Sequence, residues 1–339
     1  MGGKMRKATI KDICDGTGLS LGTVSKYLNG GRVKETNKKK IDEVIKNLNY
    51  RVDEYARGLI TNRTKTVGIL ISRLDNLFYS RIISEIASRL YTCGYVAIIR
   101  ESNYEVQKEI ESIEWFISRR VDALIVMPVG STREDYAILD SVNIPVIFLN
   151  SEIEGVCCES IVTNNEEISY RAVEYLLDKG HRKIAIIIDE NNPYTAQKRL
   201  NGYKRAFFER GLGEELYRIY TVGESIDFAY SVAKKIITET DATAVFASNY
   251  ISTVGVTYLL NELSLPVPQR ISVLGFDDIM ITNLFRPKLT IVNQPTMEIA
   301  SFAVQRLLEL LSAETFNYKV SVLKNNLIIG ESVADIRSN

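Results

Sequence analysis

The chain has 339 residues, 45% hydrophobic and 25% charged, with 42 Lys and Arg against 42 Asp and Glu for a net charge of zero. That length exceeds one ordinary domain and suits a small head with a body of one or two lobes. No apolar run approaches bilayer-spanning length, and the opening Met-Gly-Gly-Lys-Met-Arg-Lys lacks the apolar core of a secretory signal, which predicts a cytoplasmic protein with no membrane contact.

Residues 9–29, TIKDICDGTGLSLGTVSKYLN, read as two short helices joined by a glycine turn, the signature of a helix-turn-helix. Thr9 is placed to N-cap the first helix, with Asp12 answering three positions on and Ile10, Ile13 and Cys14 on the apolar side. Gly18 breaks it. Ser20 N-caps a second helix in which Leu21, Val24 and Leu28 recur at helical spacing, leaving Gly22, Thr23, Ser25 and Lys26 to face a partner. A third helix is expected over 34–48, with Ile41, Val44, Ile45 and Leu48 inward. Residues 1–65 hold 15 Lys and Arg against 7 Asp and Glu, so the head carries +8 and the remainder −8. A basic head on an acidic body is the distribution that attracts phosphates to one end only.

Residues 49–66 form a polar linker with one short apolar motif around Tyr55, Ala56 and Leu59, a helix too brief to persist alone in water. From Val67 onward strands alternate with amphipathic helices. VGILI, YVAII, ALIVM and PVIFL are continuous apolar runs of the kind that strands covered on both faces require, and after Asn164 the pattern restarts with a helix, then IAIII, IYTV, AVFA and ISVLGF. Two such series predict an α/β fold of two lobes, each a mostly parallel sheet with helices on both faces and a cleft at the carboxyl ends of the strands. Cys14, Cys93, Cys157 and Cys158 form no CxxC pair, and there is one histidine, so no metal and no cofactor is expected. No nucleophile elbow, phosphate loop or paired acids appear, so the sequence does not read as an enzyme.

The chain resembles the LacI/GalR family of transcriptional regulators over essentially its full length. The residues that carry the likeness are the head motif at 9–29, NYRVDEYARGL running into TKTVGIL, DKGHRKIAII from Asp178, LGFDDI at 274–279 and RPKLTIVNQP at 286–295. The resemblance implies a three-helix head over 1–50, a hinge helix and linker over 51–66, and a periplasmic-binding-protein-like core over 67–339. Within that core it implies an N-lobe of about 67–163 plus 293–322 and a C-lobe of about 164–292 plus 323–339.

For DNA, the resemblance places Leu21, Gly22 and Lys26 against base edges in the major groove, and Thr9, Ser20, Thr23, Ser25 and Asn29 on the phosphate backbone. Ala56 and Leu59 match the hinge positions that enter the minor groove, with Arg57 beside them. A wedge of this kind needs its symmetry mate, hence a homodimer on a pseudo-palindromic operator in double-stranded DNA. Lys26 stands where arginine is more usual, and Gly22 offers no side chain, so the base-reading set is unusual.

For the effector, the resemblance points to Tyr79, Arg199, Asn249, Asp277 and Gln294, a set suited to a sugar or sugar phosphate. Tyr250, Leu77, Asn150 and Ser225 depart from the family's pattern. Leu284 and Phe285, apolar in a loop before Pro287, are candidate dimer contacts or else a loop tucked on its own core. The expected function is a dimeric repressor of carbohydrate-use genes controlled by a small polar effector. Two other readings are control by a partner protein docked on the core and a solute receptor with a vestigial head.

Overall fold

The structure, a computed structural model, describes residues 8–28, 30–50, 63–223, 225–277 and 284–337. Its contacts divide the chain into two units, 1–64 and 65–339.

In the first unit, α1 (Ile10–Thr17), α2 (Leu21–Leu28) and α3 (Glu35–Asn47) close around Ile13, Val24 and Ile41, all fully buried. Thr9 and Asp12 form a capping box: the Asp12 carboxylate accepts the Thr9 N–H at 2.7 Å, and the Thr9 hydroxyl accepts the Asp12 N–H at 3.4 Å. Gly18, at φ 69°, ends α1 in the left-handed region that glycine adopts without cost, and its N–H reaches the Cys14 carbonyl at 2.8 Å. Two apolar positions lie outside this core, and Leu48 among them departs from the expected inner face. Leu48 caps α3 and is 39% exposed, while Leu21, on the opening turn of α2, projects past the small core and is 62% exposed.

The second unit holds two six-stranded sheets. The first contains β1 (Thr66–Ile71), β2 (Val96–Glu101), β3 (Ala123–Val126), β4 (Val146–Leu149), β5 (Glu159–Thr163) and β11 (Val320–Leu323), in the order β11-β5-β4-β3-β1-β2, all parallel. The second contains β6 (Ile184–Asp189), β7 (Arg218–Val222), β8 (Ala244–Ala247), β9 (Ser272–Asp277), β10 (Thr290–Asn293) and β12 (Asn326–Ile328), in the order β12-β10-β9-β8-β6-β7, with β12 alone antiparallel. Alternate residues of β1 feed opposite layers: Val67, Ile69 and Ile71 meet α4 (Leu77–Thr92) and α10 (Thr296–Ser312), while Leu70 meets α5 (Val106–Ser118). The second sheet is likewise covered by α6 (Asn165–Asp178) and α7 (Pro193–Glu209) on one face and by α8 (Ile226–Glu239) and α9 (Tyr250–Glu262) on the other. A Cβ on Gly202 would lie 2.2 Å from the Glu166 carbonyl, so glycine is what lets α7 approach α6 this closely.

The runs read as strands covered on both faces include two that are not. β2 and β7 are the outer strands of their sheets, and Val96, Ile99 and Ile219 are 58%, 38% and 38% exposed. An apolar run records strand propensity, whereas its place in the sheet depends on connections made far along the chain.

The chain passes between lobes at 163–165, again at 293–296 and last at 323–326. Before its last passage, α10 is pinned to the first lobe by a buried ion pair. Arg306 grips Glu159, at the start of β5, with its Nε at 2.7 Å from one carboxylate oxygen and an Nη at 3.0 Å from the other. The Lys319 N–H donates to that second oxygen at 3.0 Å.

Candidate functional site: the inter-lobe cleft and the head

Strand carboxyl ends from both sheets converge on the cleft. From the first lobe comes Tyr79, positioned by α4, whose N-cap Asn76 accepts the Phe78 N–H at 3.0 Å. Tyr79 is 8% exposed, and its hydroxyl is hydrogen-bonded to the side chain of Asn192, the N-cap of α7 in the other lobe. Burial holds its phenol well above the ordinary range. A second bridge joins the lobes where the Tyr194 hydroxyl donates to Glu152 at 3.3 Å.

Arg199 lies on the inner face of α7 and is 4% exposed. Its Nε donates to Asn165 Oδ1 at 2.8 Å, an Nη donates to the Ser248 carbonyl at 2.5 Å, and its guanidinium sits 3.8 Å from the centre of the Phe276 ring. Desolvation pulls its basicity down, and Asp277, Tyr79 and Asp189 hold it up. Asp277, at the end of β9, adopts φ 84°, an unusual backbone for a non-glycine residue. It accepts the Tyr250 N–H at 2.8 Å and a hydrogen bond from the Gln294 amide.

Asn249 also lies here, with both ends of its amide committed. Its Oδ1 caps α9 by accepting the Ser252 N–H at 2.7 Å, and its side chain also bonds Asp189. The structure therefore brings Tyr79, Arg199, Asn249, Asp277 and Gln294 together in one cleft, and each is already hydrogen-bonded there.

Sequence reasoning missed Asp189, which ends the apolar run IAIII. Desolvation raises its carboxyl above the usual range, opposed by the Asn191 N–H, Asn249 and Arg199. An acid at the carboxyl end of a predicted buried strand was the available signal. Ser225, one of the departures from the family's pattern, N-caps α8 by accepting the Phe228 N–H at 3.1 Å.

The cleft's lip in the first lobe is shaped by acids. Glu109, fully buried, accepts the N–H groups of Val129 and Gly130 at 3.1 Å and 3.4 Å, together with the Tyr136 hydroxyl. Asp135 accepts those of Ser131 and Thr132 at 3.0 Å and 2.9 Å. The loop they hold, with Asn192 and Tyr194 opposite, encloses a cavity of about 170 Å³. Burial pushes the Glu109 carboxyl up to about 7, in spite of its three donors.

On the head, Thr9, Ser20, Leu21, Gly22 and Lys26 are exposed, and Thr23 and Ser25 are half-buried. The Ser20 and Thr23 hydroxyls lie 3.0 Å apart, and Ser20 Oγ accepts the Thr23 N–H at 3.4 Å. A Cβ on Gly22 would meet nothing within 4 Å. Asn29, Ala56, Arg57 and Leu59 lie outside the described residues.

Leu284 is 81% exposed, whereas Phe285 packs against the α8–α9 side of the second lobe. His181 is buried, with Nδ1 at 2.9 Å from the Thr243 hydroxyl and Nε2 at 3.2 Å from the Ala334 carbonyl, the contacts of a residue that ties β8 to the chain end. Burial pushes the Cys158 thiol up to about 12, which makes it a poor nucleophile beside exposed Cys157. No helix among the described residues is long and apolar enough to cross a membrane, and no acid, His and Cys cluster there is placed to hold a metal.

A helix-turn-helix head followed by two parallel-sheet lobes that enclose a polar cleft defines a ligand-binding, DNA-reading class of protein. Residues 9–53 match the family described as bacterial regulatory proteins, lacI family, and residues 173–333 match the periplasmic binding protein-like domain. The chain is similar to the HTH-type transcriptional repressor PurR of Vibrio vulnificus (strain CMCP6), with 32% identity over 332 residues, 97% of this chain and 99% of that one. In fold it is similar to the lac repressor dimer bound to operator and the anti-inducer ONPF (TM-score 0.85, 22% identity, 97% and 100% of the two chains). It is also similar to a LacI family transcriptional regulator from Enterococcus faecium with bound ribose (TM-score 0.73, 24% identity, 80% and 100%). The chain belongs to the lacI family of bacterial regulatory proteins. It is a DNA-binding transcriptional repressor of that family and not an enzyme.

Proposed function

We propose that this repressor acts as a homodimer on a pseudo-palindromic operator and governs carbohydrate-use genes in response to an uncharged, hydroxyl-rich effector held between the lobes. The observation that carries the effector class is the charge of the cleft. Arg199 faces two carboxylates, Asp277 and Asp189, and has Phe276 beneath it. Donors and acceptors side by side suit vicinal hydroxyls, whereas a phosphorylated sugar would bring its dianion up to two acids whose charge already acts on the Arg199 guanidinium. A thermal-shift screen of neutral sugars against the matching sugar phosphates tests this. Neutral sugars are expected to raise Tm in proportion to ligand concentration over Kd; stabilisation by the phosphorylated forms alone would overturn it.

On the DNA side, the exposed face of α2 presents Leu21, Gly22 and Lys26 to base edges, with Thr9, Ser20, Thr23, Ser25 and Asn29 for phosphates and Ala56, Arg57 and Leu59 for the minor groove. In this reading Lys26 is a point-like donor to a guanine edge. Lys26→Ala is expected to weaken the operator selected by the wild-type protein by about 1–3 kcal/mol and to relax selection at one position per half-site. Binding-site selection from random duplexes reads both effects, and an unchanged selected sequence would remove Lys26 from the reading set.

For the dimer, exposed Leu284 is the contact residue we favour, and Phe285 supports it from beneath. Leu284→Asp is expected to weaken self-association at least about tenfold by burying a charge at the contact. Sedimentation equilibrium that shows the same dimer constant for both proteins would place the interface elsewhere.

A further inference from the structure

Two charged groups at the centre of the cleft, Asp277 and Arg199, are tied by side chains to the segments where the chain crosses between lobes. Gln294, at the second crossover, donates its amide to Asp277 and takes the Thr163 hydroxyl on its carbonyl at 3.2 Å. Thr163, at the first crossover, accepts in turn from the amide of Asn325, at the third, at 3.1 Å. The next residue, Asn164, accepts the Asn325 N–H at 2.7 Å, and the one after it, Asn165, accepts Arg199 Nε at 2.8 Å. Thr163, Asn165, Gln294 and Asn325 are all buried, so these bonds do not compete with water.

We infer that Thr163 and Asn325 are positioning residues: through one chain of hydrogen bonds they lock the three crossovers together and fix Gln294 against Asp277, so that the lobes hold the separation seen in this structure. This goes beyond the effector reading and stands whatever the effector is. Thr163 is the central link because its single hydroxyl is spent twice, as donor to Gln294 and as acceptor from Asn325.

The chain is incompletely satisfied at its far end. Asn325 Oδ1 is buried and has no hydrogen-bond partner here, and Asp277 is held at φ 84° at the other end.

Hydrogen exchange read by mass spectrometry on the full chain tests the lock, with Thr163→Val removing the hydroxyl at nearly constant shape and Thr163→Ser restoring it. For Thr163→Val, exchange is expected to speed up about tenfold in the crossovers and in the cleft-facing segments 76–80 and 190–196, while β3 and β8 inside the two sheets keep their protection. Thr163→Ser is expected to match the wild type. Uniform acceleration across both sheets would mean a merely structural residue and would overturn the inference. So would wild-type exchange in Thr163→Val, or the same acceleration in Thr163→Ser. Should Thr163→Val fail to fold, Asn325→Ala breaks the same chain from the third crossover, and it is expected to give the same pattern of exchange and is overturned by the same outcomes.

Discussion

Replacing Arg306 by Met is expected to cost the core about 3–5 kcal/mol of unfolding free energy, because it strands Glu159, a fully buried carboxylate, without its cation. The Glu159 side chain has no solvent exposure and Arg306 has 12%, so water cannot take the place of the lost partner. The double replacement Glu159→Met with Arg306→Met is expected to recover most of that loss, since removing both charges also removes their desolvation. Recovery is limited by the Lys319 N–H, which donates to Glu159 in the native chain. Urea denaturation of the single and double variants, followed by far-UV circular dichroism, measures both. A single variant as stable as the wild type would show that the pair is solvated in solution.

Glu109→Gln is expected to remove a pH dependence of stability rather than stability itself. The ordinary carboxyl value is 4.5, and burial raises Glu109 to about 7, so between these limits the folded chain holds a proton that the unfolded chain has released. Its contribution is therefore fully present below pH 4.5 and is lost as pH rises through about 7. That loss amounts to about 3 kcal/mol at most for a shift of this size. Unfolding free energies at pH 5 and pH 8 are expected to differ less in Glu109→Gln than in the wild type, with the variant gaining on the wild type at pH 8. Equal differences in the two proteins would show that Glu109 is ionised throughout. The same carboxyl holds the Val129 and Gly130 amides at the lip of the cleft, so this titration also bears on how firmly that lip is set.

The parts of the molecule that are governed by near neighbours were legible in the sequence. Thr9 with Asp12 and Gly18 at the end of α1 needed only residues within one or two turns. The β1, β3, β4, β8 and β9 runs were equally plain, because a strand buried on both faces is apolar throughout. What escaped depended on distant chain. Whether an apolar run becomes an inner or an outer strand is settled by the order of the sheet, which is why Val96 and Ile99 looked like core and are exposed. Leu48, expected on the inner face of the third helix, instead caps α3 and is 39% exposed.

In the cleft, the family pattern led to Arg199 and Asp277 but not to Asp189, since an acid after a strand reads like any turn residue. A helix was expected after Asn164, but the partner that gives Thr163 its role, Asn325, is 162 residues further on. Asn249 was expected as a pocket residue, and its capping of α9 emerges only from the bond to Ser252.

The threefold passage of the chain between lobes also bears on how the protein is made. The first lobe's core is incomplete until α10 arrives with Ile299, Ala303, Val304, Leu307 and Leu310, and each sheet gains its last strand only from residues 320–328. A ribosome that has delivered all of β1 to β5 has therefore released a half-covered sheet, whose apolar face waits while residues 164–295, five of the second sheet's six strands among them, are made. Neither lobe can be cut away as a self-sufficient piece, and the two are expected to melt in a single transition. During synthesis that waiting sheet is the surface on which a chaperone would act.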